Sequence, residues 1–355
     1  MSATQHAAVF LFGTLEGFWF YRSGVLMPSA VGLQMVFRSF VILKLFLSAV
    51  GSSMLVQCLL SVVQPAQFED TRHFSESAKG YYRQIIGSLI LGVGMAMAGS
   101  GPTLLPGQLV ALAPGVVLAV GAIAGAALFS VLDKPMFHTD CAPVMIRNTL
   151  DHHAKSSYAA IAAPVGTLLV AGALATEFFF PQRRDLVGAP FATANGDLSW
   201  LFHPIAAGIV VGLNQIPLRC IAGIGQGCSY SVMVLSNLLT GGRVAKNAAL
   251  DGSIEGAGQL VYVWGGTAAG ALAAYVTSGP ALTTLYRGIP WPTSASSAAP
   301  LFLGSALMVF GARVAKGCTC GHGITGFSEL SLHSIVAAAC IFAGGIGYAG
   351  LTATA

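Results

Sequence analysis

The sequence contains few charged residues. Asp, Glu, Lys and Arg together make up 8% of the 355 residues, whereas they make up about a quarter of an ordinary soluble domain. The 17 bases are scattered singly and the formal net charge is only +4, so the basic patch that a nucleic-acid-binding protein needs is missing. Because 55% of the residues are hydrophobic, we expect an integral multi-pass membrane protein surrounded by a lipid bilayer, in the cell (plasma) membrane.

Motifs for nucleotide hydrolysis, thiol redox chemistry and zinc binding are also missing. The glycine runs lack the pattern G-x-x-x-x-G-K-[ST], which excludes an ATP-hydrolysing loop. Cys318 and Cys320 are one residue apart, a spacing that matches neither a C-x-x-C redox pair nor a zinc ribbon. One polar connection carries four further candidate ligands, whose spacing fits no metal motif: His138, Cys141, His152 and His153. We therefore expect no cofactor, no metal and no enzymatic activity.

The seven cysteines lie mostly inside hydrophobic segments rather than in outer loops. This placement argues against a disulfide framework and favours reduced thiols. Cys58 and Cys340, which lie within apolar runs, are expected to pack as small hydrophobic groups.

Intervals without charge predict the membrane spans, since each is as long as the roughly 20 residues that a helical span needs. The longest, 84–132, is interrupted by GSGPTLLPG and is predicted to form a broken helix pair. We therefore expect an all-α polytopic fold with about nine long hydrophobic elements. They lie in the intervals 45–68, 84–132, 156–176, 198–218, 220–242, 256–286, 288–312 and 330–355.

Two shorter features lie near the start of the chain. Residues 6–21 are apolar but interrupted by two glycines and Glu16, so we predict a half-helix that dips into the membrane and returns. Arg38 and Lys44 flank the next apolar run and are predicted to snorkel to the interface.

An internal correspondence predicts two pseudo-symmetric repeats. At an offset of 217 residues, Gly94, Ala98 and Gly101 align with Gly311, Ala315 and Cys318. Each segment then consists of an apolar run, G-x-x-x-A, a cluster of small residues and a return. Interrupted segments at corresponding positions of two halves are the best sequence indication of a transporter site.

The correspondence divides the chain into a first transmembrane repeat at 1–155, a linking span and interfacial connection at 156–199, and a second repeat at 200–355. An odd linking span inverts the second repeat if each repeat has an even number of spans. Short re-entrant broken helices are then expected to meet near the middle of the bilayer. A weaker likeness pairs the GxxxG of Gly13 and Gly17 with that of Gly208 and Gly212.

The stretch from Gly311 to Ser334, GARVAKGCTCGHGITGFSELSLHS, is the candidate site. Irregular backbone at membrane depth must be buried in protein or line a cavity. Its glycines at 317, 321, 323 and 326 permit positive φ and are predicted to leave amide groups free to converge as an anion-binding nest. A helix starting near Phe327 would reinforce that nest. Arg313 and Lys316 either attract anions to one mouth or snorkel.

A thiol is a soft, weak donor that suits a sulfur-bearing anion better than a small hard one. His322 either donates to the anion or has a structural role, and Glu16 and Glu329 are expected to pair with nearby bases. Cys228 is a second candidate because its segment, IPLRCIAGIGQGCSYS, also breaks a helix. The predicted substrate-binding residues are Gly99, Ser100, Gly101, Cys228, Gly317, Cys318, Thr319, Cys320, Gly321, His322 and Gly323.

The same stretch resembles the signature of the YeeE/YedE sulfur-transport family, G-A-R-x-A-x-G-C-T-x-G-H-G-x-S-G. GFWFYRSGVLMPS, LKLFLSA and GVGMAMAGSGP are similar to motifs of the family's first repeat. The resemblance implies two pseudo-symmetric halves, with thiosulfate uptake along a narrow path of cysteines that contact the ion in succession. It further implies that Cys318 is the second-repeat cysteine and that a soluble sulfur-carrier protein is a partner.

The chain departs from the family pattern at two places. Gly101 stands where the family usually has a cysteine, and RSGVLMPS has none. Either Cys320 and Cys228 substitute, or the transported species differs. The function predicted is transport of a small, thiosulfate-like sulfur anion. The alternatives are a selenium compound or other soft ion, including a soft metal held by Cys318, Cys320 and His322, and a membrane sulfurtransferase with Cys318 as persulfide carrier.

Overall fold

A computed structural model describes residues 2–72, 76–78, 80–137, 145–182, 185, 201–223, 225–243 and 254–353. Within these ranges the protein is almost wholly helical, and two short strands form one antiparallel ribbon. The all-α prediction is therefore confirmed. His138 and Cys141 lie outside the described residues.

The described residues form sixteen α-helices, three π-helices and two strands. In chain order they are α1 (Ala3–Arg22), α2 (Pro28–Met35), α3 (Val41–Val63), α4 (Pro65–Asp70), β1 (Glu76–Ala78), α5 (Tyr82–Ala98), α6 (Leu105–Ala111), α7 (Gly115–Phe137), β2 (Met145–Arg147), α8 (Leu150–His153), α9 (Tyr158–Phe179), α10 (Pro204–Leu213), α11 (Gln215–Ala222), α12 (Ser229–Leu239), the π-helices π1 (Ile254–Gly258) and π2 (Leu260–Thr267), α13 (Ala268–Thr277), α14 (Pro280–Arg287), α15 (Ala295–Val314), the π-helix π3 (Thr319–Gly326) and α16 (Leu332–Ala353).

Seven helical segments of the described chain are long and apolar enough to cross a bilayer. They occupy seven of the nine expected positions, and the other two positions hold the shorter apolar helices Tyr82–Ala98 and Ser229–Leu239. At 17 and 11 residues, these two fall short of the roughly 20 that a span needs. The first of them, α5, ends where the helical structure is interrupted, and the second, α12, begins after such an interruption.

The first apolar piece is a continuous helix of 20 residues, so the prediction of a half-helix over 6–21 is wrong. Its glycines do not interrupt α1 but let it approach π2. A Cβ at Gly13 would lie 2.2 Å from the Tyr262 carbonyl oxygen, and one at Gly17 would lie 2.1 Å from that of Thr267. Helices this close need small residues at the crossing.

Helices α5 and α15 cross through reciprocal glycine contacts. A Cβ at Gly87 would lie 2.7 Å from the Gly311 oxygen, and one at Gly94 would lie 2.6 Å from the Gly304 oxygen. At the offset of 217 residues, Gly87 corresponds to Gly304 and Gly94 to Gly311. Replacing each glycine by its equivalent therefore converts one contact into the other, as a two-fold relation requires. The two-repeat arrangement of the whole chain stays a prediction.

Lys44 lies inside the protein. Its side chain is fully buried and its Nζ is 2.6 Å from Asp185 Oδ2 and 2.8 Å from Glu177 Oε2. Nζ also donates to the Phe180 carbonyl. The snorkelling prediction is therefore wrong for Lys44, since two carboxylates that follow it by more than 130 residues supply the compensation a buried ammonium needs. Arg38 is exposed.

Candidate functional site

Cys318 lies directly before π3, at the N-cap position of that helix. Its Sγ accepts a hydrogen bond from the amide of Gly321 at 3.5 Å, and its carbonyl accepts from His322 N at 2.8 Å. The positive end of the helix dipole therefore faces the Cys318 sulfur. The sequence predicted an irregular loop with a helix starting near Phe327, and this is wrong, since the helical backbone begins at Thr319.

The glycines of this stretch serve packing rather than a positive-φ nest. Within the described residues, positive φ occurs here at Lys316 and not at the glycines 317, 321, 323 or 326, so the nest prediction is wrong. A Cβ at Gly317 would lie 2.6 Å from His322 Nε2, and one at Gly323 would lie 2.5 Å from the Phe46 ring. Close contact with neighbouring rings leaves room only for glycine at these positions.

Three cysteines and one threonine meet beside π3, and we call them the thiol cluster. The sulfur atoms of Cys228 and Cys318 are 3.0 Å apart, and Cys228 N lies 3.4 Å from the Cys318 sulfur. Thr103 Oγ1 is 3.0 Å from Cys228 Sγ and 2.7 Å from Cys320 Sγ. All three cysteines are buried and unoxidised. The cluster thus joins both broken elements predicted from the sequence to the break before α12.

A cavity of about 80 Å³ adjoins the thiol cluster. One water needs about 10–15 Å³ by the same kind of measure, so this space holds several water-sized groups. Cys320 and Thr103 contribute to its wall, which is otherwise almost entirely apolar. Gly101 and Thr319, two predicted site residues, also line it, whereas Cys318 does not. Thr103 therefore links the cavity to the Cys228–Cys318 pair.

The bend after α5 is held by Gln108, a residue that the sequence did not single out. Its Oε1 accepts from the Ser100 hydroxyl at 2.5 Å, and its Nε2 donates to the carbonyls of Gly99 at 3.1 Å and Leu26 at 3.0 Å. Gly99 takes a φ of 62° at the end of the helix, where glycine is favoured. Ser100 and Gly99 thus shape the bend, and only Gly101 of the predicted trio lines the cavity.

His322 is buried with both ring nitrogens occupied. Nε2 lies 2.9 Å from the Ala315 carbonyl, and Nδ1 lies 3.1 Å from Ser334 Oγ. Because a carbonyl only accepts, Nε2 carries the proton. The imidazole therefore joins the end of α15 to α16, in line with the structural alternative for this residue. Within the described residues, no group of three or more His, Cys, Asp or Glu side chains is placed to hold a metal ion, which disfavours the soft-metal alternative.

The far end of π3 is held by buried charges, and we call Arg72, Asp151, Arg219 and Glu329 the charged network. Arg219 donates to the Glu329 carboxylate, with both side chains fully buried. Arg72 forms two hydrogen bonds with Asp151, at 2.9 and 3.0 Å, and donates to the Glu329 carbonyl at 2.9 Å. Glu329 thus pairs with a base as expected.

The pKa of Asp151 reflects this pairing. Burial acts to raise the pKa of this carboxyl, but the hydrogen bonds from Arg72, the nearby Thr149 hydroxyl and the charge of Arg72 together outweigh burial, so that the pKa is lowered below its ordinary value. The ionised form is therefore favoured in the folded protein. Backbone hydrogen bonds from Leu150 N to Leu330 O and from Leu332 N to Asn148 O attach the same surface to the start of α16.

The arrangement defines a class of protein: a multi-pass helical membrane protein with an apolar cavity and thiols on broken helices. The chain belongs to the sulphur transport family, whose model matches residues 22–347. This confirms the family resemblance read from the 311–334 motif.

Two relatives are each described as a probable transporter, in Xylella fastidiosa strains Temecula1 and 9a5c. They are 29% and 28% identical to this chain over 150 residues. Each match covers 42% of this chain and 93% of the relative. The family and the seven candidate spans together establish an integral multi-pass membrane protein of a transport family.

Proposed function

We propose that this protein moves a small sulfur-containing anion, of the thiosulfate type, through the cavity and across the thiol cluster. One observation carries the proposal. Thr103 and Cys320 line the cavity and also contact each other, and Thr103 in turn contacts the sulfur of Cys228 beside Cys318. An ion in the cavity would therefore meet a continuous series of S–H and O–H donors.

The chemistry of the wall favours a soft, weakly hydrated anion. A small hard anion would lose its hydration in an apolar cavity without recovering equivalent hydrogen bonds. Thiol and hydroxyl donors hold an anion weakly enough to release it, as conduction requires. A terminal sulfur of thiosulfate also matches the polarizable sulfur atoms of Cys320, Met35 and Met95 around the cavity.

The contacts suggest how the chain manages without a cysteine at position 101. Gly101 has no side chain to offer, yet Thr103 places a hydroxyl 2.7 Å from the Cys320 sulfur. Thr103 and Cys320 are 217 residues apart, the offset that relates the two predicted repeats. In this proposal Thr103, Cys320 and Cys228 supply the donors that precede Cys318.

The two-repeat arrangement forms part of the proposal. A segment of 42% of this chain matches 93% of each relative. This is expected if each relative corresponds to one repeat, about half the length of this chain. At the same offset, the first residue of α7, Gly115, corresponds to Leu332, the first residue of α16. The proposed boundaries are 1–155 and 200–355, with 156–199 as the link. A soluble sulfur carrier would receive the ion.

In the described part of the chain, no base is in hydrogen-bond contact with the Cys318 sulfur, which disfavours the sulfurtransferase alternative. Within the described residues the Cys318 sulfur contacts Cys228 and two backbone amides, while the nearest histidine in sequence, His322, bonds to Ala315 and Ser334. A cysteine nucleophile is activated by an adjacent base or by a helix N-terminus, and among the described residues Cys318 has only the helix N-terminus. The contacts therefore favour passage of the intact ion over transfer of its sulfur.

The test is uptake of radiolabelled thiosulfate by proteoliposomes containing the wild type or single alanine variants of Cys228, Cys318 and Cys320. We expect each variant to lose at least about tenfold in rate, equal to about 1.4 kcal/mol. Cys340→Ala is the matched control, since Cys340 lies half-buried on α16 and outside the cavity wall.

Equal uptake by the wild type and all three cluster variants would contradict the proposal. Competition by unlabelled selenite or selenocyanate tests the selenium alternative, and mass spectrometry after turnover tests for a persulfide on Cys318. A persistent added sulfur on Cys318 would favour the sulfurtransferase.

A further inference from the structure

Glu16 is a buried carboxyl on α1 with an incomplete set of partners. Its relative exposure is 0%. Oε2 accepts from the Tyr262 hydroxyl of π2 and lies 3.4 Å from Gln226 Nε2, a weak contact. Oε1 is buried and has no hydrogen-bond partner. The sequence predicted that Glu16 pairs with a base, but no ion pair with Lys, Arg or His forms at Glu16 within the described residues, so this prediction is wrong.

The buried Lys and Arg side chains of the described chain have partners other than Glu16. Lys44 faces Glu177 and Asp185, Arg72 faces Asp151, and Arg219 faces Glu329. Arg22 donates to the Ser278 hydroxyl and lies over the Phe202 ring. An isolated carboxylate out of water is costly unless a counter-charge or a proton neutralises it. Binding one proton converts the carboxylate to a neutral carboxylic acid and turns the unpartnered oxygen into an O–H donor.

A short polar path runs from Glu16 to the two segments that carry the cysteines of the thiol cluster. Gln226, which contacts Glu16, precedes Cys228 by two residues, and its amide N donates to Thr325 Oγ1 of π3 at 3.1 Å. Gln215 extends the path, since its Nε2 lies 2.9 Å from Gln226 Oε1 and 2.8 Å from Thr325 Oγ1. Unlike the apolar cavity wall, this path consists of polar groups that contact one another.

The titratable groups on the elements packed against α1 are few. Tyr262 on π2 bonds Glu16 directly, and the Cys318 thiol lies within range of a charge–charge interaction with Glu16. Tyr275 on α13 packs against Tyr21 and Arg287, while Arg219 on α11 faces Glu329. Cys220 on α11 is half-buried, and α6 and α10 carry no titratable side chain. Glu16 is thus the one carboxyl on this path within the described residues.

We propose that Glu16 is a proton-binding site coupled to transport. Glu16 takes up one proton each time an anion leaves the thiol cluster, and it releases that proton together with the anion. The inference rests on the proposed transport function and adds its coupling ion. Proton binding neutralises Glu16, and the resulting O–H supplies a donor beyond Cys228. A dianion carried with one proton also moves less net charge across the membrane potential.

The experiment records thiosulfate uptake and the lumenal pH of the same proteoliposomes with a trapped pH-sensitive dye. The wild type is expected to admit about one proton per thiosulfate, with faster uptake from acidic medium. Glu16→Gln, which imitates the neutral form, is expected to keep downhill thiosulfate flux but to lose proton entry and the dependence on pH.

Glu69→Gln is the control, since Glu69 pairs with Arg72 and Arg147 and its side chain is about half exposed. Glu16→Asp keeps a carboxyl and should retain coupling in part.

Proton entry by Glu16→Gln equal to that of the wild type, or wild-type uptake without protons, would overturn the inference. Infrared titration of the carboxylic acid C=O band distinguishes this failure from failure of the transport proposal, because it needs no thiosulfate. If no thiosulfate moves but the carboxylic acid band of the wild type is absent from Glu16→Gln, proton binding at Glu16 is supported and its coupling to thiosulfate is refuted. If the wild type lacks that band, proton binding at Glu16 is refuted as well. Should Glu16→Gln fail to fold, Glu16→Asp and Tyr262→Phe are expected to shift the same band.

Discussion

The thiol cluster and the charged network lie at opposite ends of π3 and differ in every kind of contact. At the start of the helix, Cys228, Cys318, Cys320 and Thr103 meet through soft donors that each hold an acceptor weakly. At its far end, Arg219 and Glu329 form a fully buried ion pair, and Arg72 attaches the same segment to Asp151. A buried ion pair is costly to separate, whereas thiol contacts exchange easily. One end of π3 is thus anchored while the other end offers replaceable partners.

The largest effect is expected from breaking the anchored end. Arg219→Met removes the cation that faces Glu329, and we expect a loss of about 3–5 kcal/mol in the free energy of unfolding. Denaturant unfolding in detergent measures this loss. The double variant Arg219→Met, Glu329→Met should recover most of it, because neither charge is then buried without its counter-charge. A single variant as stable as the wild type would refute the anchoring role.

A moderate effect confined to transport is expected at the other end. Thr103→Val keeps the volume of the side chain but removes the hydroxyl that contacts Cys228 and Cys320. Thiosulfate uptake should fall about tenfold while stability changes by less than about 1.5 kcal/mol. Thr103→Ser, which retains the hydroxyl, is the matched control. If Thr103→Val loses stability but transports normally, Thr103 belongs to the anchoring contacts instead.

The smallest effect is a pH dependence of the anchored end. The pKa of Asp151 is lowered in the folded protein, so its pairing stabilises the fold fully above the unfolded pKa of about 3.9. That contribution is lost as the pH falls through the lowered folded pKa. The melting temperature should therefore drop below about pH 5, and Asp151→Asn should show a flatter profile in this range. Identical acid profiles for the two proteins would contradict the assignment.

The fold class and the cysteines of the thiol cluster could be predicted from the sequence. The scarcity of charge predicted the helical membrane fold. The glycines beside the cysteines indicated that Cys318, Cys320 and Cys228 belong to broken elements, and the fold brings these elements together. The alignment of the two broken segments also anticipated that they meet, as Thr103 and Cys320 do. Whether these residues bind the anion stays a prediction.

What could not be predicted depends on distant partners. A glycine in a helix is compatible with either a break or a close crossing, and only the position of Tyr262 decides for Gly13. Lys44 had no visible counter-charge, because its carboxylates come more than 130 residues later. Gln108 carries no motif, so its three hydrogen bonds at the bend left no signal. Thr103 could have been found, since the same offset that pairs Gly101 with Cys318 pairs it with Cys320.

The glycine crossing between α5 and α15 has a consequence for how an ion could pass. Gly87 and Gly94 bring the two backbones together with no side chain between them, so the two helices have no compressible layer that would let one slide or tilt past the other. The close crossing therefore favours movement of α5 and α15 as one unit. If an ion passes as proposed, opening beside this unit depends on rotations of individual buried side chains such as Thr103 and Cys320. The proposed transport would then rely on side-chain gates along the path rather than on a rocking motion of two halves.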